Sequence, residues 1–144
     1  MAVLSDSLDI AYITKQGERI MGRTNERKQF LADIFTTALE GGIDYWACAS
    51  EYHWQKDDQA DLDNFYAIVS DCEGEDAIPD NSRIDREVIV KGINKIVNDN
   101  TVKINSDLRQ LIREANRDND ASNIDADGAD CIVQIGLLGE LVFG

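Results

Sequence analysis

Asn25-Glu26-Arg27-Lys28-Gln29-Phe30-Leu31-Ala32-Asp33-Ile34-Phe35-Thr36-Thr37-Ala38-Leu39-Glu40 runs through Gly41-Gly42 into Ile43-Asp44-Tyr45-Trp46-Ala47-Cys48-Ala49-Ser50-Glu51-Tyr52-His53-Trp54. Phe30, Leu31, Ile34, Phe35, Ala38 and Leu39 share one stripe of a 3.6-residue period, so residues 25–40 are expected to form a helix. Thr24 or Asn25 supplies an N-cap, and Gly41 can take the left-handed conformation that ends a helix. Beyond the glycines the pattern changes to a period of two. A strand over residues 43–55 would put Trp46, Cys48, Ser50, Tyr52 and Trp54 on one face and Tyr45, Ala47, Ala49, Glu51 and His53 on the other. The small alanines would let the helix approach closely, leaving the Trp46/Tyr52/Trp54 face to find its own cover.

Working outward, Ile10, Tyr12 and Ile13 with the turn Lys15-Gln16-Gly17 suggest a short hairpin within residues 8–22. Lys56 to Asn64 reads as an acidic turn, and residues 65–70 as a second strand antiparallel to the first. A loop follows, holding the lone proline, Pro79. Residues 85–98 predict a helix capped by Asp85, with Val88, Ile89, Ile93, Ile96 and Val97 on one face; Gly92 should weaken it by roughly 1 kcal/mol relative to alanine. A helix over 106–117 turns Leu108, Leu111, Ile112 and Ala115 inward. Residues 129–138 predict a helix started by Asp125 or Asp127 and ended by Gly139, after which residues 140–144 could add an edge strand. The expected fold is α+β: one acidic domain spanning residues 1–144, a small antiparallel sheet against three to four helices.

The 144 residues include one proline and are 43% hydrophobic, which argues against disorder. The start of the chain lacks the basic and apolar runs of a signal peptide, and no stretch approaches a membrane span. Three separated cysteines, Cys48, Cys72 and Cys131, fit a reducing cytoplasm better than a disulfide framework. The net charge of −14 is unevenly spread. Residues 55–82 carry 9 acids and 1 base, whereas residues 83–117 carry 5 acids and 8 bases. Such a chain repels nucleic acid but attracts basic partners, unless its acids serve only solubility.

The stretches at residues 30–46 and 129–140 are similar to those of a group of small, acidic, uncharacterised proteins of tailed bacteriophages. The resemblance covers about a quarter of the chain and implies a phage product acting in a bacterial cytoplasm; it carries over no site residues.

No zinc pattern is present: the sole histidine, His53, is five residues from Cys48 and would point to the opposite face. A cysteine nucleophile activated by His53 meets the same objection. Asn123, Asp125, Asp127 and Gly128 have the spacing of a calcium loop. Gln134, however, stands where a bidentate glutamate belongs, and an acidic helix start explains the same residues. No metal or cofactor is expected. Arg109, Arg113 and Arg117, four apart, line one helix face; they are paired internally or hold a phosphate-bearing ligand. With Trp46, Tyr52 and Trp54 beside them, they could hold a nucleotide-like molecule, although burial statistics favour the aromatics as a second layer of core.

The leading expectation is a non-enzymatic inhibitor or binding protein. Its acidic surface, Asp57, Asp58, Asp61, Asp63, Asp71, Glu73, Glu75 and Asp76, would engage a basic nucleic-acid-handling host protein, in the manner of a DNA mimic used in counter-defence or host takeover. The alternatives are the arginine/aromatic pocket and a phage structural or accessory subunit. Neither direct nucleic-acid binding nor a membrane is expected; self-association through the aromatic face or residues 141–143 is left open.

Overall fold

A computed structural model of the chain describes residues 24–74 and 76–144. The expected hairpin at residues 8–22 lies outside the described residues, as does Glu75.

The fold is α+β. Helix α1 (Asn25–Thr37) starts on Thr24, whose side chain accepts from the Arg27 amide. It passes into a π-turn, Ala38–Gly42, closed by the Ile43 amide on the Ala38 carbonyl. The helical path therefore ends in a widened turn, where the sequence suggests a left-handed stop at Gly41. Strand β1 is Ala47–His53, β2 Gln55–Lys56, β3 Gln59–Ala60, β4 Tyr66–Asp71 and β5 Ser82–Asp85. Helices α2 (Arg86–Asn98), α3 (Ser106–Asp118) and α4 (Ala126–Leu138) follow. Their N-caps are Asp85, Asn105 and Asp125, each accepting from the first turn of its helix. Among the described residues, no helix is long and apolar enough to cross a membrane.

The main sheet has the order β1-β4-β5, antiparallel throughout, and β2 and β3 form a separate hairpin. Strand β5 is missed by the sequence reading because Ser82-Arg83-Ile84-Asp85 offers a single apolar residue. The expected alternation along β1 also fails, for a definite reason. Ala49 pairs with Val69, but Glu51 pairs with Ile68, so Ser50 is a bulge. One extra residue reverses which face each later side chain occupies. Tyr52 thus turns inward beside Phe35, with 5.7 Å between ring centroids, instead of sharing a face with Cys48.

Helix α4 is the centre of the core. Gly128, Ala129, Asp130, Ile132, Val133, Gln134, Ile135 and Gly136 are all buried. Gly92 of α2 and Gly136 of α4 form its tightest contact. A Cβ on Gly92 would stand 2.1 Å from the Ile132 carbonyl oxygen, and one on Gly136 would stand 2.1 Å from that of Val88. The intrinsic cost of Gly92 in a helix is offset by this backbone approach.

The cysteine expectation is corrected. Cys48 and Cys72 are joined in a disulfide across β1 and the end of β4, and Cys131 remains free. The expected edge strand at residues 140–144 is instead an irregular tail, held through side chains of the body.

Candidate partner-binding surface

The acidic residues fall at two opposite ends of the sheet. Ala47 pairs with Asp71 and His53 with Tyr66, so the loop after β4 leaves at one end of the β1–β4 ladder and the β2–β3 hairpin at the other. A strand of this length separates them by roughly 20 Å at about 3.3 Å per residue. The single acidic surface expected from residues 57–76 is thus divided in two.

At the hairpin end, Asp57 and Asp58 form the two-residue turn with φ of 53° and 65°. Both positions require the left-handed region, which aspartate tolerates better than most residues. Their carboxylates are exposed. Asp61 and Asp63 are committed elsewhere. Asp61 meets His53 Nε2 at 2.8 Å and accepts from the Asn64 amide; the hydrogen bond with His53, more than any other influence, holds its carboxyl below the usual range. The His53 ring also stacks on Tyr66. Asp63 pairs with Lys28 at 2.7 Å.

At the other end, Asp71 organises the loop by accepting from the amides of Glu73 and Ala77. Glu73 and Asp76 are exposed. Asp44 is exposed beside them, since the Cys72 sulfur lies 3.8 Å from its carbonyl oxygen.

The arginines do not form an anion site with the aromatics. Arg109 donates to the carbonyls of Ile96, Asp99 and Val102, closing the C-terminal end of α2 and the turn after it. Arg113 reaches the Val97 carbonyl, and Arg117 pairs with Asp118. Trp46 is buried, Tyr52 covers Phe35 and donates to Glu40, and Trp54 is partly exposed. Two of the three arginines thus serve helix-end carbonyls, while the aromatics belong to three different environments. The calcium-loop spacing is likewise absorbed by the fold: Asp125 caps α4 and Gln134 is buried.

No family model, curated protein or solved structure matches the chain.

One constellation escapes the sequence reading. Asp130 Oδ1 accepts from Trp46 Nε1 at 2.8 Å and Gln134 Nε2 at 2.9 Å, and Oδ2 accepts from the Tyr45 hydroxyl at 2.6 Å. Desolvation, together with the bond to Asp130, raises the Tyr45 phenol above the ordinary tyrosine range. Gln134 Oε1 in turn accepts from the amides of Val142 and Phe143, and the Phe143 ring stacks on Trp46 with centroids 4.7 Å apart. The signal was present: two polar residues four apart in an otherwise apolar helical run must satisfy each other or something buried. Beside them on α4, burial pushes the Cys131 thiol up to about 11, away from nucleophilic use.

Proposed function

We propose that the chain is a non-enzymatic binding protein that engages a basic protein surface, of the kind used to grip DNA or RNA, through the carboxylates at the two ends of its sheet. Asp57 and Asp58 supply one end; Asp44, Glu73 and Asp76 supply the other. The observation that carries this reading is where the positive charge goes. Arg109 and Arg113 serve main-chain carbonyls. Cations spent on neutral acceptors leave carboxylates uncompensated, and the field outside the molecule is negative. Such a surface speeds encounter with a basic partner and repels nucleic acid itself. The phage resemblance is compatible with a target in a bacterial host, and counter-defence or host takeover is the role proposed there.

The test uses purified bacterial DNA- and RNA-handling proteins with basic grooves. Affinity is expected to fall as salt rises from about 50 to about 200 mM, and duplex DNA should compete. Replacing Asp57, Asp58 and Asp76 by Asn and Glu73 by Gln together should weaken binding at least about tenfold, as several close charge pairs are lost. Binding indifferent to salt, DNA and these substitutions would sink the reading.

A further inference from the structure

Cys48 lies on β1, at one edge of the main sheet, and Cys72 begins the loop that leaves β4. The bond between them is at the surface, with Cys48 exposed and Cys72 half-buried, so a reductant reaches it without unfolding the core. The loop has few other holds on the body. Every described residue between Cys72 and Ile78 is exposed, and Ile78 is the first to return to the core, at 2% exposure. The Asp71 carboxylate accepts from the Glu73 and Ala77 amides, and the Asp71 carbonyl accepts from the Gly74 amide; these bonds shape the loop from within. Among the described residues, the chain from Cys72 to Ala77 reaches β1 and the residues before it in three ways. They are the disulfide, a hydrogen bond from the Cys72 amide to the Trp46 carbonyl at 3.2 Å, and the weak 3.8 Å contact of the Cys72 sulfur with the Asp44 carbonyl oxygen.

Charge works against this arrangement. Asp44 precedes β1, Glu73 and Asp76 stand on the loop, and all three are exposed. Residues 71–82 contain no lysine or arginine, and among the described residues no ion pair reaches any of the three carboxylates. The disulfide thus holds together two segments whose like charges repel. Asp76 is held besides at a φ of 57°, a left-handed value that any residue with a Cβ disfavours. Without the covalent tie, both terms push the loop away from Asp44.

We propose that Cys48–Cys72 is a redox latch on the partner-facing surface. Oxidised, it holds Asp44, Glu73 and Asp76 in one dense negative cluster; reduced, it lets the loop swing outward and the cluster disperses. The proposal rests on the reading of this end of the sheet as partner-facing. Opening is thiol–disulfide exchange with a dithiol. One thiolate of the dithiol attacks the exposed Cys48 sulfur, the bond to Cys72 breaks, and the Cys72 sulfur leaves as a thiolate and takes up a proton. The second thiol, as its thiolate, then attacks the dithiol's own sulfur in the mixed disulfide and releases Cys48, which is protonated in turn. Two electrons pass to the cysteine pair, and the dithiol ends as a disulfide. Asp57 and Asp58 at the far end are untouched, so affinity for a basic partner is graded, not abolished.

The experiment compares the full chain before and after excess dithiothreitol, with thiol titration to verify the redox state. Backbone order parameters from 15N relaxation at Glu73, Gly74 and Asp76 should lie near about 0.85 in the oxidised chain and fall below about 0.6 on reduction, while β1 and β4 stay rigid. Binding of a fluorescent octalysine peptide, followed by anisotropy at about 50 mM salt, should weaken at least about threefold on reduction. Cys48→Ser with Cys72→Ser should match the reduced chain and ignore dithiothreitol; if that variant does not fold, the reduced parent carries the comparison alone. A loop equally ordered in both states overturns the latch, whatever the peptide does, and so does a pair that dithiothreitol leaves oxidised in the folded chain. Loosening with unchanged peptide affinity overturns the coupling to binding. A peptide that binds neither state sinks the acidic-surface reading instead, and the order parameters then decide the latch by themselves.

Discussion

Gly92 and Gly136 face each other across α2 and α4, each approaching a carbonyl of the opposite helix. In an isolated helix Gly92→Ala would stabilise by about 1 kcal/mol. Here the added methyl must push the helices apart, so the substitution should destabilise by about 3 kcal/mol or more, an overpacking cost that exceeds the propensity gain. Gly41→Ala is the matched control. It has open space and no positive φ, so it should be neutral or stabilising by about 0.5 kcal/mol. Urea unfolding of the two variants checks the contrast in sign.

The Cys48–Cys72 bond closes a segment with a sequence separation of 24. Thiol titration of the unfolded, unreduced protein should find one reactive cysteine, Cys131, and three after reduction. Cys48→Ser with Cys72→Ser should cost about 3 kcal/mol by the loop-closure relation. An unchanged melting temperature on reduction would show that the bond adds nothing to the fold.

Arg109 should matter to stability far more than its surface-helix position suggests. Arg109→Ala takes a charged donor from three carbonyls, of which that of Asp99 keeps the Val102 amide, and is expected to cost about 2–3 kcal/mol, as loss of charged hydrogen bonds does. Arg117→Ala removes only an exposed pair with Asp118 and should fall within about 0.5 kcal/mol of the parent. Thermal melts of both variants separate a carbonyl clamp from a ligand site; a nucleotide-induced stabilisation lost in Arg109→Ala would argue for the latter.

The Asp61 carboxyl is held below its ordinary value in the folded chain, so its bond with His53 contributes stability above the unfolded value of about 3.9. That contribution is lost as pH falls through the lower folded value. Asp61→Asn should therefore be destabilising at neutral pH, with the difference from the parent closing below about pH 4 in urea titrations.

At high pH the sign reverses. Desolvation and the bond to a carboxylate, Asp130 for Tyr45 and Glu40 for Tyr52, raise both phenols above the usual tyrosine range. Their contribution is complete below about pH 10 and declines as pH rises beyond it, because the unfolded chain then releases protons that the folded chain retains. Tyr45→Phe and Tyr52→Phe should flatten that alkaline decline in melting temperature.

Where chemistry is local, the sequence is readable. The spacing of Phe30, Ile34 and Phe35, the capping aspartates Asp85 and Asp125, and Gly139 after α4 all act within a few residues, and the helices they imply are present within a turn. Features that depend on distant partners are not. The bulge at Ser50 exists only in register with β4, and it decides whether Tyr52 points in or out. The four-apart spacing of Arg109, Arg113 and Arg117 is visible, but main-chain carbonyls as their acceptors leave no mark in the amino-acid order. Asp57 and Asp58 are conspicuous as charge, yet their left-handed turn and their separation from Glu73 follow from strand pairing alone. Asp130 and Gln134 are the intermediate case, a local pattern whose partners, Trp46 and the tail, are far away in sequence.

The burial of most of α4 has a consequence for biogenesis. A ribosome releases α1, the sheet, α2 and α3 before it releases residues 126–138, so the earlier elements must wait with their apolar faces uncovered for the piece they enclose. Slow synthesis across residues 126–138 would prolong the interval in which the nascent chain is most prone to aggregate.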